Sequence, residues 1–191
     1  KIFDSIEELL KNVQAVSIAV PTQLHAQVAI QTLKAGVHTL IEKPITTTID
    51  EARKLLKISE KNRLILQVGH VERFNSAIRK LSTHISAPQF IECARLAPFN
   101  IRGTDVSVVL DLMIHDIDII LSLVKSKVKK IFARGVNIFT NSEDIANAHI
   151  IFQNGCVANI TASRASLERT RKIRIFEKNA YYSVDYSTQT I

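Results

Sequence analysis

Only two cysteines occur in the 191 residues, Cys93 and Cys156, far apart and in no CxxC pair or Cys/His spacing of a zinc module. No disulfide framework and no metal site is read from them, and a reducing cytoplasm is the expected setting. Five glycines and four prolines are too few for a collagen-like or low-complexity chain. Aromatic residues make up only 6%, yet 46% of the chain is hydrophobic, which excludes disorder and allows one sizeable core or two modest ones. No apolar run approaches the ~18–20 residues of a membrane span. The opening Lys1-Ile2-Phe3-Asp4 lacks both an initiator Met and a signal-peptide core, so the front reads as truncated.

What the chain has in excess is positive charge: 25 Lys+Arg against 18 Asp+Glu, a formal +7. The cations are spread along the sequence, with no aromatic-and-basic RNA-binding strand and no helix-turn-helix signature, so neither nucleic acid nor membrane is an expected partner. A cleft for a phosphorylated small molecule accounts for the balance equally well. Lysine-rich helices that simply face water account for most of it.

The first third alternates strand and helix. Asp4-Ser5 caps a short helix through Ile6, Leu9 and Leu10, and Ala15–Val20 is a β-branched run closed by Pro21. Leu24, Val28, Ala29 and Leu33 recur at helical spacing, and Gly36 is a C-terminal stop; His38–Ile41 is a second strand, ending at Pro44. Thr48-Ile49-Asp50-Glu51 opens another helix, and Leu64–Val68 is a third strand, closed by Gly69. Strands separated by helices predict a parallel sheet. Beyond Gly69 a helix holds Ala77, Ile78 and Leu81, Phe90–Arg95 alternates as a strand, and one apolar helix is expected over Val108–Val124. Five strand-like runs follow between Lys130 and Tyr186, with Asn154-Gly155 as a hairpin turn. Consecutive strands predict an open antiparallel sheet. The fold class is therefore α/β, with domains at 1–69 and 70–191.

Three constellations could carry chemistry. Pro21-Thr22-Gln23-Leu24-His25 lies where a strand ends and a helix begins, the position at which open α/β sheets bind phosphate or ribose; an ordinary turn with Thr22 as N-cap uses the same residues. Glu42-Lys43-Pro44 places opposite charges at another strand end, where the lysine could hold a developing alkoxide or exchange a proton, or be merely solvated. Asp111, His115, Asp116 and Asp118 interrupt an otherwise apolar helix, with Asp111 and His115 four apart and hence on one face. Such groups are costly to bury unless paired or functional. His70–Asn75 crosses from one half to the other, as cleft lining or as a hinge. His38, His84 and His149 read as isolated structural or surface histidines.

Taken in order, PTxxHxxxAxxxLxAGxHxLIEKPI, GHVERFN and DLMIHDID resemble the Gfo/Idh/MocA oxidoreductases along essentially the whole chain. The resemblance implies a Rossmann domain followed by an α/β domain whose open sheet forms an oligomer interface. It implies NAD or NADP as cofactor, near Pro21, Thr22, His25, Glu42 and Lys43, with Lys43, Asp111 and His115 as catalytic residues of a sugar dehydrogenase. A cis Lys43–Pro44 bond is expected on the same ground. The family's first strand and GxGxxG turn are absent, as if the chain began at the helix before the fourth Rossmann strand, so the choice between NAD and NADP cannot be read and this fragment is expected to bind cofactor poorly. Gly69–Asn75 and Ala94–Phe99 resemble the branch acting on nucleotide sugars, the UDP-N-acetylglucosamine 3-dehydrogenases. That likeness implies a diphosphate substrate, with Arg73, Asn75, Arg95 and Arg102 as contacts. A non-catalytic, ligand-binding or assembly scaffold of the same fold is the alternative.

Overall fold

The structure, a computed structural model, describes residues 1–101 and 104–191. The chain divides into two compact units, Lys1–His70 and Val71–Ile191, so that His70 closes the first rather than opening the second.

The first unit runs α1 (Ile6–Leu10), β1 (Ala15–Ile18), α2 (Thr22–Lys34), β2 (His38–Glu42), α3 (Ile49–Asn62) and β3 (Leu66–Gly69). The strands pair in parallel in the order β1-β2-β3, aligning Ile18 with Ile41 and Glu42 with Gly69. Local signals set the helix ends. Ser5 caps α1 by accepting from the Glu8 N–H, and Thr48 and Glu51 form a reciprocal capping box at α3. Gly36 takes φ +82° after α2, while its N–H reaches Leu33 O and that of Val37 reaches Thr32 O. Those bonds form a Schellman cap, a geometry glycine adopts without steric cost. Thr22 is the first helical residue and Pro21 the N-cap, which corrects the expectation of a Thr22 cap: Pro21 brings no side-chain acceptor, and its carbonyl takes the Leu24 N–H at 2.9 Å. Ile18, Ala29, Leu33, Ile41 and Leu55 form the core, the fully buried leucines and isoleucines each contributing roughly 1.5–3 kcal/mol.

The second unit holds a 3₁₀ turn (Val71–Phe74), α4 (Ser76–Ser82), β4 (Phe90–Leu96), a π turn (Val109–Met113), α5 (Ile114–Leu123) and five strands, β5 (Val128–Val136), β6 (Ile145–Phe152), β7 (Val157–Ser163), β8 (Thr170–Glu177) and β9 (Ala180–Asp185). Their order is β5-β6-β7-β4-β8-β9. The sheet is mostly antiparallel, as expected, with one parallel pairing: β4 runs parallel to β7 and antiparallel to β8. Alternation along a strand tells its two faces apart but does not name its neighbours, and β4 enters the middle of the sheet after leaving a long connection to β7. Gly155, at φ +89°, makes the β6–β7 turn.

The apolar positions of the sheet divide between its two faces. Ile150, Phe152, Ile160, Ile173 and Ile175 are buried in this unit's own core with Ile91, Met113, Ile119 and Ile120. The opposite face carries one apolar row across β6, β7, β4, β8 and β9, Ile151-Val157-Phe90-Phe176-Tyr181. Beside it lie polar pairs, His149 with Asn159 at 2.6 Å and Glu92 with Arg174 at 3.8 Å.

Candidate functional site

In the first unit the candidate residues gather at the C-terminal ends of the parallel strands, where the ends of β1 and β2 are tied together from within. The buried His25 places Nδ1 2.8 Å from Pro44 O and Nε2 2.9 Å from Val20 O. Both ring nitrogens thus face main-chain oxygens, and His25 acts on the rim by fixing its shape. The Lys43–Pro44 bond is cis, as expected. Glu42 and Lys43 are partly exposed, Pro21 is exposed and Thr22 partly so. Gly69 makes room for Glu42: a Cβ there would stand 3.0 Å from Glu42 Oε2. A glycine in an extended strand opposite a carboxylate is therefore a close-approach requirement rather than a turn signal.

In the second unit the helix cluster separates into two kinds of group. Asp116 is buried and accepts two bonds from Arg95, Nε and Nη2 each at 2.9 Å. Burial pushes the Asp116 carboxyl above its ordinary value against the pull of that guanidinium; burial opposes the charge on Arg95, but the bonds to Asp116 together with the charges of Asp116 and Glu72 raise it. Glu72 stands 3.8 Å from Arg95 and 4.0 Å from Arg171. Asp118 takes Arg73 in a two-pronged pair, Nη2 to Oδ1 at 2.6 Å. Asn75 caps α4 by accepting from the Ala77 N–H. Arg95, 2% exposed, is thus held inside the unit, Arg73 and Asn75 are engaged in internal contacts, and Arg102 lies outside the described residues.

Asp111 and His115 remain as the partly exposed members of the cluster, and the geometry between them differs from the expected regular helix. Asp111 belongs to the π turn while His115 belongs to α5, and the Ile114 N–H reaches back five residues to Val109 O. A π turn widens the helix locally and re-aims the side chains on either side of it; such turns recur at functional sites.

Two buried roles escaped the sequence reading, that of Arg95, expected as a substrate contact, and that of Asp144. Arg95 had a legible signal, since alternation places it on the inward face with Ile91 and Cys93, where a cation requires a carboxylate. Asp144 had none: it lies in a polar loop, yet is fully buried with its Oδ1 2.7 Å from Arg164 Nε. Among the described residues, no group of three or more His, Cys, Asp or Glu side chains is placed to hold a metal, and no helix is long and apolar enough to cross a membrane.

A parallel βαβαβ unit with polar residues at its strand ends, followed by a mixed-sheet unit with an Asp/His-bearing helix, defines a nucleotide-binding oxidoreductase type of architecture. Residues 1–70 match the Gfo/Idh/MocA oxidoreductase family, NAD-binding Rossmann fold, and residues 78–182 match the Gfo/Idh/MocA C-terminal domain. The chain belongs to this family. It is 42% identical, over 99% of its length, to UDP-N-acetylglucosamine 3-dehydrogenase of Acidithiobacillus ferrooxidans, of which it spans 61%. The solved structure of that enzyme superposes with a TM-score of 0.94, covering 100% of this chain and 64% of the other. The WlbA dehydrogenase of Bordetella pertussis, solved with NADH and UDP-GlcNAcA, shares the fold at a TM-score of 0.85 and 18% identity, covering 95% of this chain and 59% of that one. The chain thus spans about three-fifths of the length of these relatives.

Proposed function

We propose that the protein containing this chain is a nicotinamide-dependent dehydrogenase of a nucleotide sugar, oxidising a hydroxyl carbon of a UDP-N-acetyl sugar. The single observation that carries the reading is the π turn Val109–Met113, which holds Asp111 directly before His115 at the start of α5. It is supported by the likeness to UDP-N-acetylglucosamine 3-dehydrogenase.

The strand-end rim fits such a cofactor in two respects. Gly69 lets the Glu42 carboxylate lie close against the end of β3, and His25 holds the ends of β1 and β2 at a set separation. Pro21, Thr22, Glu42 and Lys43 would line the cofactor, with α2 presenting its N-terminus. When bound, nicotinamide supplies the hydride acceptor. His115 takes the proton from the sugar hydroxyl and Asp111 orients its imidazole, while Lys43 supplies positive charge at the strand-end rim of the first unit. For the diphosphate, Arg73 is the exposed cation among the expected contacts that the structure describes, its side chain 49% accessible despite the bond to Asp118.

The test is reduction of NAD or NADP by UDP-N-acetylglucosamine with the whole protein. Turnover that disappears in His115→Ala and Lys43→Ala sustains the reading; wild-type turnover in both, or none in the intact protein with any UDP-sugar, removes it and leaves the binding scaffold. The aromatic row Phe90-Phe176-Tyr181 is further proposed as the seat of a second copy, since an apolar row of this length beside matched polar pairs is suited to burial.

A further inference from the structure

We infer that Arg164 is a positioning residue for the helix that carries Asp111 and His115, an inference that rests on the proposed role of those two residues. Arg164 follows β7 and is 4% exposed, in a unit where no substrate contact is assigned to it. Its guanidinium joins two separate pieces of chain, the 140–144 loop and the segment at Val106. Nε bonds Asp144 Oδ1 at 2.7 Å, Nη2 meets Ser142 Oγ at 2.9 Å and Thr140 Oγ1 at 3.0 Å, and Nη1 donates to Val106 O at 2.8 Å.

The last of these bonds is the informative one. Val106 immediately precedes Ser107, whose carbonyl accepts from the Asp111 N–H at 3.0 Å, and the next N–H, that of Val108, donates to Glu143 O at 2.9 Å. The segment entering the π turn is therefore held by two bonds to the 140–144 side of the sheet, one of them through Arg164. Asp144 makes that anchor stiff. Its Oδ2 accepts the N–H groups of Ile138, Phe139 and Thr140 at 2.7–2.9 Å, while its own N–H bonds Val136 O and the Arg164 N–H bonds Asp144 O. A planar guanidinium can satisfy acceptors in three directions at once, which a lysine ammonium at the end of a flexible stem cannot.

Stability alone is a poor account of this arrangement. A buried ion pair gives little net stability over an apolar filling of the same volume, because desolvation offsets the attraction. What apolar side chains could not supply is a donor for Val106 O, and a displacement of about 1 Å in a reacting group can cost ~10²-fold in rate.

The decisive variant is Arg164→Lys in the whole protein, which keeps the charge and loses the fork. Amide exchange at Val108 and Asp111 should accelerate about tenfold or more while amides of β4 stay protected, and kcat should fall ~10–100-fold with the nicotinamide KM within about twofold. A folded Arg164→Lys protein with wild-type exchange at Val108 and Asp111, or with wild-type kcat, overturns the inference. Loss of turnover and of cofactor KM together, tracking a global loss of protection, also overturns it by assigning Arg164 to bulk stability. If Arg164→Lys does not fold, Thr140→Val with Ser142→Ala leaves the ion pair intact and removes the two hydroxyls steadying the guanidinium; exchange at Val108 should then rise several-fold, and no change refutes the inference. His115→Ala and Asp111→Asn separate the two ideas: wild-type turnover in both removes the catalytic reading, while the exchange result still decides whether Arg164 holds the segment.

Discussion

Arg95 and Asp116 meet through two 2.9 Å hydrogen bonds inside the second unit, with the residues 2% and 1% exposed. A strand residue and a helix residue, each too polar for its position, are compatible only because they face one another. Arg95→Met or Asp116→Leu alone should destabilise the protein by about 3–5 kcal/mol, since each leaves a buried charge without its partner. The double variant should recover most of that loss, apart from the cost of leaving Glu72 with Arg171 alone. Urea unfolding of the four proteins checks this, and a double variant worse than either single one would refute it.

His115→Ala should lower kcat by about 10²–10⁴ while leaving the cofactor dissociation constant nearly unchanged, as expected of a group that handles a substrate proton. Lys43→Ala should behave differently, weakening cofactor binding as well as turnover, because Lys43 sits at the strand-end rim of the first unit. Steady-state kinetics together with fluorescence titration of the reduced cofactor separate the two. Near-normal turnover in His115→Ala across pH, with none in Lys43→Ala, would move the proton-transfer role to the lysine.

Asp144 predicts an acid limb of stability. Burial alone would raise its carboxyl, but the N–H groups of Ile138 and Phe139, the Arg164 guanidinium and the Thr140 N–H outweigh burial and hold it well below the ordinary carboxylate range. A depressed folded-state value contributes stability that is complete above the unfolded value of about 3.9 and fades as pH falls below it. Asp144→Asn should therefore have a lower melting temperature at pH 7 and a shallower decline between about pH 5 and pH 3 than the wild type. Parallel melting curves over that range would show that the acid loss arises elsewhere.

Gly69→Ala should displace the Glu42 carboxylate, because the added Cβ would meet Oε2 at 3.0 Å and Cδ at 3.2 Å. The expected result is a several-fold weaker affinity for reduced nicotinamide cofactor with little change in melting temperature. Titration calorimetry on the whole protein measures it; unchanged affinity would remove Glu42 from the cofactor rim.

Phe176→Asp should lower the oligomeric state if the outer row of the second sheet seats a second copy. Light scattering that reports the same mass for the wild type and the variant would refute that seat.

Much of this chain was legible from neighbouring residues. Ser5 and Thr48 as helix caps, Gly36 as a stop, the β-branched runs and the Asn154-Gly155 turn act over a few positions, so the alternation of strand and helix in the first unit follows from local chemistry. The candidate residues at the strand ends and on the helix were legible in the same way, because a charge beside an apolar run is conspicuous in the sequence alone. Tertiary structure decided what those residues touch. Only the fold placed β4 between β7 and β8, turned Ile150, Phe152 and Ile173 inward, and paired Arg95 with Asp116 and Arg73 with Asp118. It also decided that the helix widens into a π turn at Asp111. The reason is physical: capping and turn formation depend on residues a few positions apart, whereas strand order and the choice of counter-ion depend on which distant segments reach the same buried volume, a competition that no local pattern records.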